Sequence, residues 1–225
     1  MTHCFCILGW HFYEEFYENI YKVEGKKYII SHRPHEFLAP LPLYAKIQSA
    51  VFCCENHGLE WGGYQQFNAM KLYEPYDFVI YCHDDLIIKD TGFVSALRQK
   101  FADPRVKVVG NGRNGSDWEF RYEKYKHRLP YTEADDFLVR TVRGSFFAAR
   151  SEIFETIENF PVQHRSKKMS GGNIALRSFG YLVSKHFGRE AIAYLADEHL
   201  ETKYLVEMRR GEVVVEENEN VSTRA

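Results

Sequence analysis

The densest chemistry in the chain is the run Cys82-His83-Asp84-Asp85-Leu86. Three ionisable side chains close an apolar stretch, Asp77–Cys82, that reads as a buried strand. Two adjacent carboxylates at the mouth of a core are unfavourable unless hydrogen bonds or a cation compensate them. A divalent metal does this well. Carboxylate oxygens suit Mg²⁺ or Mn²⁺, which complete their shells with water and substrate phosphates. In extended backbone alternate side chains share a face, so His83 and Asp85 form the expected metal-binding pair and Asp84 points the other way. The competing reading is that Asp84 or Asp85 only caps a turn. A second run, Glu55-Asn56-His57-Gly58-Leu59-Glu60-Trp61-Gly62-Gly63, follows another apolar segment. Its glycines let backbone approach a ligand, Asn56 offers both donor and acceptor, and the helix that follows would aim its first amides at the loop. Alone, this run also fits an ordinary strand-to-helix connection.

Both runs need a frame to hold them. Cys4–Leu8, Lys27–Ser31, Ala50–Cys54, Asp77–Cys82 and Val106–Gly110 read as strands. Helical spacing links Tyr13, Phe16, Tyr17, Ile20 and Tyr21, then Tyr64, Phe67, Met70 and Leu72. Asp90 is placed to cap a helix carrying Val94, Leu97 and Phe101. Leu138–Ala149 reads as extended, Ser151 as the cap of a helix, and Ile174–Phe187 and Glu198–Met208 as helices. Arg165–Gly172 is a basic, glycine-ended loop in which Arg165, Lys167 and Lys168 suit a lid as well as a solvated surface. Residues 212–225 form a polar, acidic tail. Strands alternating with helices predict an α/β domain with a central, mostly parallel sheet flanked by helices. Ligands of such sheets sit at the carboxyl ends of the strands, which directs attention to the loops after Leu8, Ser31, Cys54 and Cys82.

Composition narrows the classes of function. The 225 residues carry 29 Lys and Arg against 31 Asp and Glu, which gives no electrostatic case for a nucleic-acid partner. No apolar run is long enough for a membrane span, and the N-terminus lacks the basic lead and cleavage site of a signal peptide. Five cysteines without a C-x-x-C spacing read as small hydrophobes of a reduced, cytoplasmic core. Aromatic residues make up 16% of the chain, which suits stacking on flat ligands, although a plain core explains much of it. The run Gly110-Asn111-Gly112-Arg113-Asn114-Gly115 matches a dinucleotide fingerprint, but it follows the fifth strand and leads into polar sequence, so it reads as a turn.

The order of these pieces resembles the donor-binding half of family 2-like glycosyltransferases of the GT-A fold, a Rossmann-like architecture. Asn56-x-Gly58, Gly62-Gly63 and Asn68-Ala69 precede an apolar strand that ends in an acidic triplet. Arg143-Gly144-Ser145-Phe146-Phe147-Ala148-Ala149-Arg150, followed by an amphipathic helix, is similar to the segment near that family's acceptor site. Asp197-Glu198 is similar to an acidic pair found in many members. The chain departs from the family pattern where His83 replaces the first acid of Asp-x-Asp, where Gly9-Trp10-His11 replaces a Pro-x-Tyr-Asn type turn, and where Ser31-His32-Arg33 replaces a base-reading acid.

The resemblance implies one domain over 1–211, with a donor half at 1–112 and an acceptor half at 113–211. It implies inverting, metal-assisted transfer of a hexosyl or deoxyhexosyl group from a nucleotide-sugar, UDP-linked by expectation, to a glycan or other hydroxyl acceptor. Asp85 and His83 would hold Mn²⁺ or Mg²⁺. Gly9, Trp10, His32, Asn56, Gly58, Gly62, Asp84 and Arg143 would bind the donor, with Trp10 stacking on its base. Asp197, then Glu198, would take the acceptor proton, with Asp135 and Asp136 as further candidates; a helix cap is the plain alternative for Asp197-Glu198. Two other functions keep the same frame. One is a sugar-1-phosphate nucleotidyltransferase, although the glycine- and lysine-rich stretch usual after its first strand is missing from Gly9-Trp10-His11-Phe12. The other is a non-catalytic nucleotide- or glycan-binding module.

Overall fold

Alternate residues of the first strand go to opposite sides of one sheet, and this divides the core in two. The computed structural model describes residues 1–32, 51–113, 118–129, 131, 136–162, 169–196 and 202–207. In chain order these form β1 (His3–Gly9), α1 (Glu14–Ile20), β2 (Lys26–Ser31), β3 (Val51–Cys53), α2 (Leu59–Ala69), β4 (Phe78–His83) and β5 (Leu86–Ile88). There follow α3 (Phe93–Lys100), β6 (Val108–Gly110), β7 (Glu119–Arg121), β8 (Leu138–Arg140), β9 (Phe146–Arg150), α4 (Met169–Phe187), β10 (Ile192–Tyr194) and β11 (Leu205–Glu207), with single helical turns between some of them.

Seven strands make the main sheet in the order β10-β6-β9-β4-β1-β2-β3. All its pairings are parallel except those of β9 with β4 and β6, so the expected α/β frame with a mostly parallel sheet is present. On one face Phe5, Ile7, Ile29, Phe78 and Ile80 pack against Phe16, Tyr17 and Ile20 of α1 and Phe93, Val94 and Leu97 of α3. On the other, Cys4, Cys6, Leu8, Ile30, Val79 and Tyr81 meet Trp61, Tyr64 and Phe67 of α2 and Phe179 and Val183 of α4. Strands buried on both faces explain the continuous apolar runs of the sequence.

The second layer absorbs much of the aromatic content. Trp61 stacks on Phe147 at 5.5 Å between ring centroids and meets Phe160 and Phe179 at 5.6 and 5.5 Å. Each fully buried ring of this kind contributes roughly 1.5–3 kcal/mol. Cys4, Cys6 and Cys82 behave as small hydrophobes, their thiols pushed up by burial. Cys54 is half-buried and pushed up to about 12 by the same cause. Cys53 is exposed, contrary to the buried-strand reading, because β3 is the outermost strand of its sheet and one of its sides is open.

Several other expectations are corrected. The helix expected over Glu198–Met208 is not found among its described residues: Leu205–Glu207 is β11, paired antiparallel with β5. Short apolar runs do not separate the two periods, and the free edge of β5 decides for the strand. The segment Leu138–Ala149 is two strands, β8 and β9, in different sheets. The helix expected from Ile174 begins at Met169, so Gly171 and Gly172 are helical rather than the end of a loop. Gly62 and Gly63 likewise lie inside α2. Glycine disfavours helix by about 1 kcal/mol per residue, which packing overrides here. Asp90 bonds the Gly92 amide at 2.8 Å and turns the chain ahead of α3 instead of capping it. The Ser151 hydroxyl bonds the Tyr73 carbonyl at 3.3 Å and caps no helix. Arg165, Lys167, Lys168 and residues 212–225 lie outside the described residues.

Candidate functional site

From β1 the chain steps to β2 and β3 on one side of the sheet, then returns to β4 on the other. A crevice opens at such a reversal, beyond the carboxyl ends of the two central strands. Here it is a cavity of ≈ 510 Å³. Trp10 and His11 reach it from the end of β1, His32 from the end of β2, Asn56 from the loop after β3, Glu60 from α2, and His83, Asp84 and Asp85 from the end of β4. Sequence-predicted Trp10, His32, Asn56, His83, Asp84 and Asp85 are thus brought together. Gly9, Gly58, Gly62 and Arg143 are not among the residues that line the cavity.

Asp84 and Asp85 have separate tasks. Asp84 is fully buried and turns back under β1. Its Oδ2 accepts the amides of Trp10, His11 and Phe12 at 3.0, 3.1 and 2.6 Å and the Tyr17 hydroxyl at 3.3 Å. Burial raises its pKa, and the amides of His11, Phe12 and Trp10 pull it back in part. These bonds hold Phe12 at φ 55, a strained value for a side chain of this size. The carboxylate expected to touch the donor therefore acts on the loop that carries Trp10.

Asp85 points the other way, toward two imidazoles. His83 Nδ1 lies 3.7 Å from its Oδ1 and His11 Nε2 lies 4.0 Å from its Oδ2. Asp85 Oδ1 and His83 Nε2 are buried with no hydrogen-bond partner, as is Asn56 Oδ1. Buried polar atoms without partners are rare in native proteins and call for a ligand or water. A carboxylate with an unsatisfied oxygen beside an imidazole suits Mn²⁺ or Mg²⁺ held in part by diphosphate and water. Among the described residues no three His, Cys, Asp or Glu groups form a cluster that could hold a metal ion.

His32 is tied into the wall. Its Nε2 meets the Leu59 carbonyl at 3.3 Å and its Nδ1 meets Cys54 Sγ at 3.3 Å, and burial lowers its pKa, favouring the neutral ring. Gly58 ends the β3 loop at φ 77, in the left-handed region, and a Cβ there would meet Val162 Cγ1 at 2.2 Å. A Cβ on Gly62 would fall 1.3 Å from the His57 carbonyl oxygen. Both glycines shape the loop that presents Asn56 rather than touching the cavity. We expect Gly62→Ala to displace the His57–Gly58 backbone and destabilise the fold by about 1–3 kcal/mol or more, read as a lowered urea midpoint.

The remaining acids separate clearly. Asp136 is committed to Arg121 at 2.9 Å and to the Glu123 amide at 3.0 Å, which hold its carboxyl below the usual range. Asp135, Asp197 and Glu198 lie outside the described residues. Ala196 and Thr202, on either side of the acidic pair, both bond Asn111 at the end of β6, at 3.2 and 2.8 Å. That use of Asn111 fits the turn reading of the glycine-rich run. Glu60 and His11 were given no role by the sequence reading. An acid two residues past the loop glycine was the only signal for Glu60.

A larger hollow, ≈ 660 Å³, follows β10 at the far edge of the sheet. Its charges largely cancel: Arg105 pairs with Asp103 at 2.7 Å, and Arg140 with Glu119 and Glu190 at 2.8 and 2.9 Å. Of the runs singled out in the sequence only the glycine-rich turn reaches it, through Arg113, whereas the strand-end residues gather in the smaller crevice, which is the candidate site.

No protein-family model matches the chain, and no curated protein matches it by sequence. Solved structures match its fold. Glucosyl-3-phosphoglycerate synthase from Mycobacterium tuberculosis, in complex with Mn²⁺, UDP-glucose and phosphoglyceric acid, aligns with a TM-score of 0.56 at 13% identity over 95% of this chain and 74% of that one. A mannosyltransferase from Pyrobaculum calidifontis, in complex with GDP-mannose and Mn²⁺, gives 0.52 at 11% identity over 86% and 56%. CMP-2-keto-3-deoxy-manno-octonic acid synthetase complexed with CTP gives 0.50 at 11% identity over all of both chains. No helix among the described residues is long and apolar enough to cross a membrane. The chain has the mixed α/β architecture of GT-A nucleotide-sugar enzymes.

Proposed function

We propose that the chain transfers a sugar from a nucleotide-sugar, UDP-linked, to a hydroxyl of a glycan or other acceptor, with inversion at the anomeric carbon and with Mn²⁺ or Mg²⁺. One observation carries the reading. Asn56, His83 and Asp85, each with a buried side-chain atom that lacks a hydrogen-bond partner, line the crevice at the strand-order reversal together with Trp10. The likeness to nucleotide-sugar enzymes supports it at the level of fold.

Each residue then has a task. Trp10 offers a flat face for the base. Asn56 offers an acceptor to sugar or ribose hydroxyls. Asp85, with His83 beside it, would hold the divalent ion. A bound ion would supply positive charge where the departing diphosphate gathers negative charge. Asp84 keeps the β1 loop and Trp10 in place.

The test is thermal unfolding with UDP, GDP, CDP or dTDP, each with and without Mn²⁺. A ligand at 100 times its dissociation constant adds about 2.7 kcal/mol to stability. We expect a Mn²⁺-dependent shift with UDP. A shift with another diphosphate corrects the base, and no shift with any of them removes the reading. The full-length match to a nucleotidyltransferase favours a second possibility. Release of pyrophosphate from a nucleoside triphosphate and a sugar substrate would select it. Binding without turnover would select a non-catalytic module.

A further inference from the structure

We propose that Glu60 is the catalytic base that takes the proton of the acceptor hydroxyl; this rests on the transfer reading above. Glu60 stands in the first turn of α2 and lines the crevice together with Asp85. Among the described residues its carboxylate makes no hydrogen bond or ion pair. Partly exposed in the first turn of α2, it favours the helix dipole without a bonded partner and keeps its oxygens available to a ligand in the crevice.

Its surroundings tie it to the segment that enters β9. The side chain lies across Gly144: a Cβ there would come within 2.8 Å of Glu60 Cγ and 3.1 Å of Glu60 Oε1. Gly144 leads into β9, the neighbour of β4. The Gly144 carbonyl accepts the Tyr64 hydroxyl at 2.7 Å, and the next carbonyl, that of Ser145, accepts the His83 amide at 3.0 Å. The charges of Glu60 and Asp85 both add to the effect of burial in raising the Tyr64 pKa, so both carboxylates stand near that hydroxyl. Three carboxylates thus line one cavity; Asp84 is committed to the β1 loop, and Asp85 and Glu60 lie on different elements. Asp85 has an imidazole on either side, and Glu60 lies against the segment that enters β9. Groups with such different surroundings are suited to different roles in one reaction.

The step balances. An acceptor oxygen forms the new bond to the anomeric carbon. The bond from that carbon to the β-phosphate oxygen breaks, and its electron pair leaves with the nucleoside diphosphate. The acceptor proton goes to a Glu60 carboxylate oxygen and from there to water after release.

The experiment uses water as the acceptor and follows release of the diphosphate from UDP-, GDP-, CDP- and dTDP-linked sugars with Mn²⁺. It compares wild type with Glu60→Gln, Glu60→Ala and Asp197→Asn. We expect Glu60→Gln to lower kcat by about 10²- to 10⁴-fold, the usual contribution of a positioned base. KM for the donor and the thermal shift with diphosphate and Mn²⁺ should stay at wild-type values, and formate should restore part of the turnover of Glu60→Ala. Wild-type turnover in Glu60→Gln overturns the proposal, and with a loss confined to Asp197→Asn it moves the base to Asp197. A Glu60→Gln defect in donor KM as large as that in kcat also overturns it, since it marks a sugar-binding group. A wild-type chain that cleaves no donor removes the transfer reading itself, and that result is seen before any variant is compared.

Discussion

Asp85→Asn should fold normally and lose the Mn²⁺-dependent part of both diphosphate binding and turnover. The two halves of this expectation have one cause. Asp85 is almost fully buried, its Oδ1 has no hydrogen-bond partner, and its nearest cationic candidates stand 3.7 and 4.0 Å away. Among the described residues its charge meets only these two long imidazole contacts, so an amide of the same shape should leave thermal stability near the wild-type value. A divalent ion depends on that charge strongly. Carboxylate is the hard oxygen ligand here, and the neighbouring imidazoles cannot replace its formal charge. Loss of a group that stabilises a departing diphosphate lowers turnover by about 10²–10³-fold or more, equivalent to roughly 3–4 kcal/mol of barrier. Unfolding curves with UDP, with and without Mn²⁺, check the binding half without any knowledge of the sugar. A variant that keeps the wild-type Mn²⁺ effect would show that the ion is held elsewhere.

The sequence carried the frame and the strand-end chemistry but not the division of labour within it. The apolar run before His83 and its abrupt end in two acids located the end of β4, because a strand buried on both faces must be apolar throughout. Asp84 and Asp85 do face different partners, but both lie in the turn between β4 and β5, so strand alternation is not what separates them. Nor could alternation supply the partners of Asp84, which are the amides of Trp10, His11 and Phe12, 72–74 residues earlier in the chain. Glu60 was invisible for the same reason. Its place in the crevice depends on α2 and on the close approach of Gly144, and neither is a local property. Gly62 looked like a loop glycine because local propensity opposes helix there. The structure uses the missing side chain to bring a helix against the His57 carbonyl. Where the sequence reading failed outright, at β11, the deciding factor was the edge of β5 more than a hundred residues away. Apolar periodicity was therefore informative for the two-layer core and weak at every position set by a tertiary partner.

Asp84→Ala should be the most destabilising single change at the site, and Asp84→Asn should be far milder. Alanine leaves three successive amides and the Tyr17 hydroxyl without their shared acceptor, the Phe12 amide and Tyr17 hydroxyl fully buried and the Trp10 and His11 amides partly so. A buried donor without a partner costs about 1–3 kcal/mol. Several at once, with some relaxation of the loop, give on the order of 3–5 kcal/mol, a large part of the 5–15 kcal/mol that holds a typical domain together. Asparagine can present its carbonyl oxygen where Oδ2 now sits, because Trp10, Phe12 and Tyr17 all bond that one oxygen. Only the His11 amide also uses Oδ1, so the amide nitrogen of asparagine would disturb a single shared contact. The expected loss for Asp84→Asn is about 1 kcal/mol. Urea denaturation of the two variants measures the difference. A wild-type midpoint for Asp84→Ala would mean that the loop holds Phe12 at its positive φ without the carboxylate. If the loop account is right, Asp84→Asn should also keep the Mn²⁺ effect that Asp85→Asn loses. Two adjacent acids would then be separated by experiment, one acting on the chain and one on the ligand.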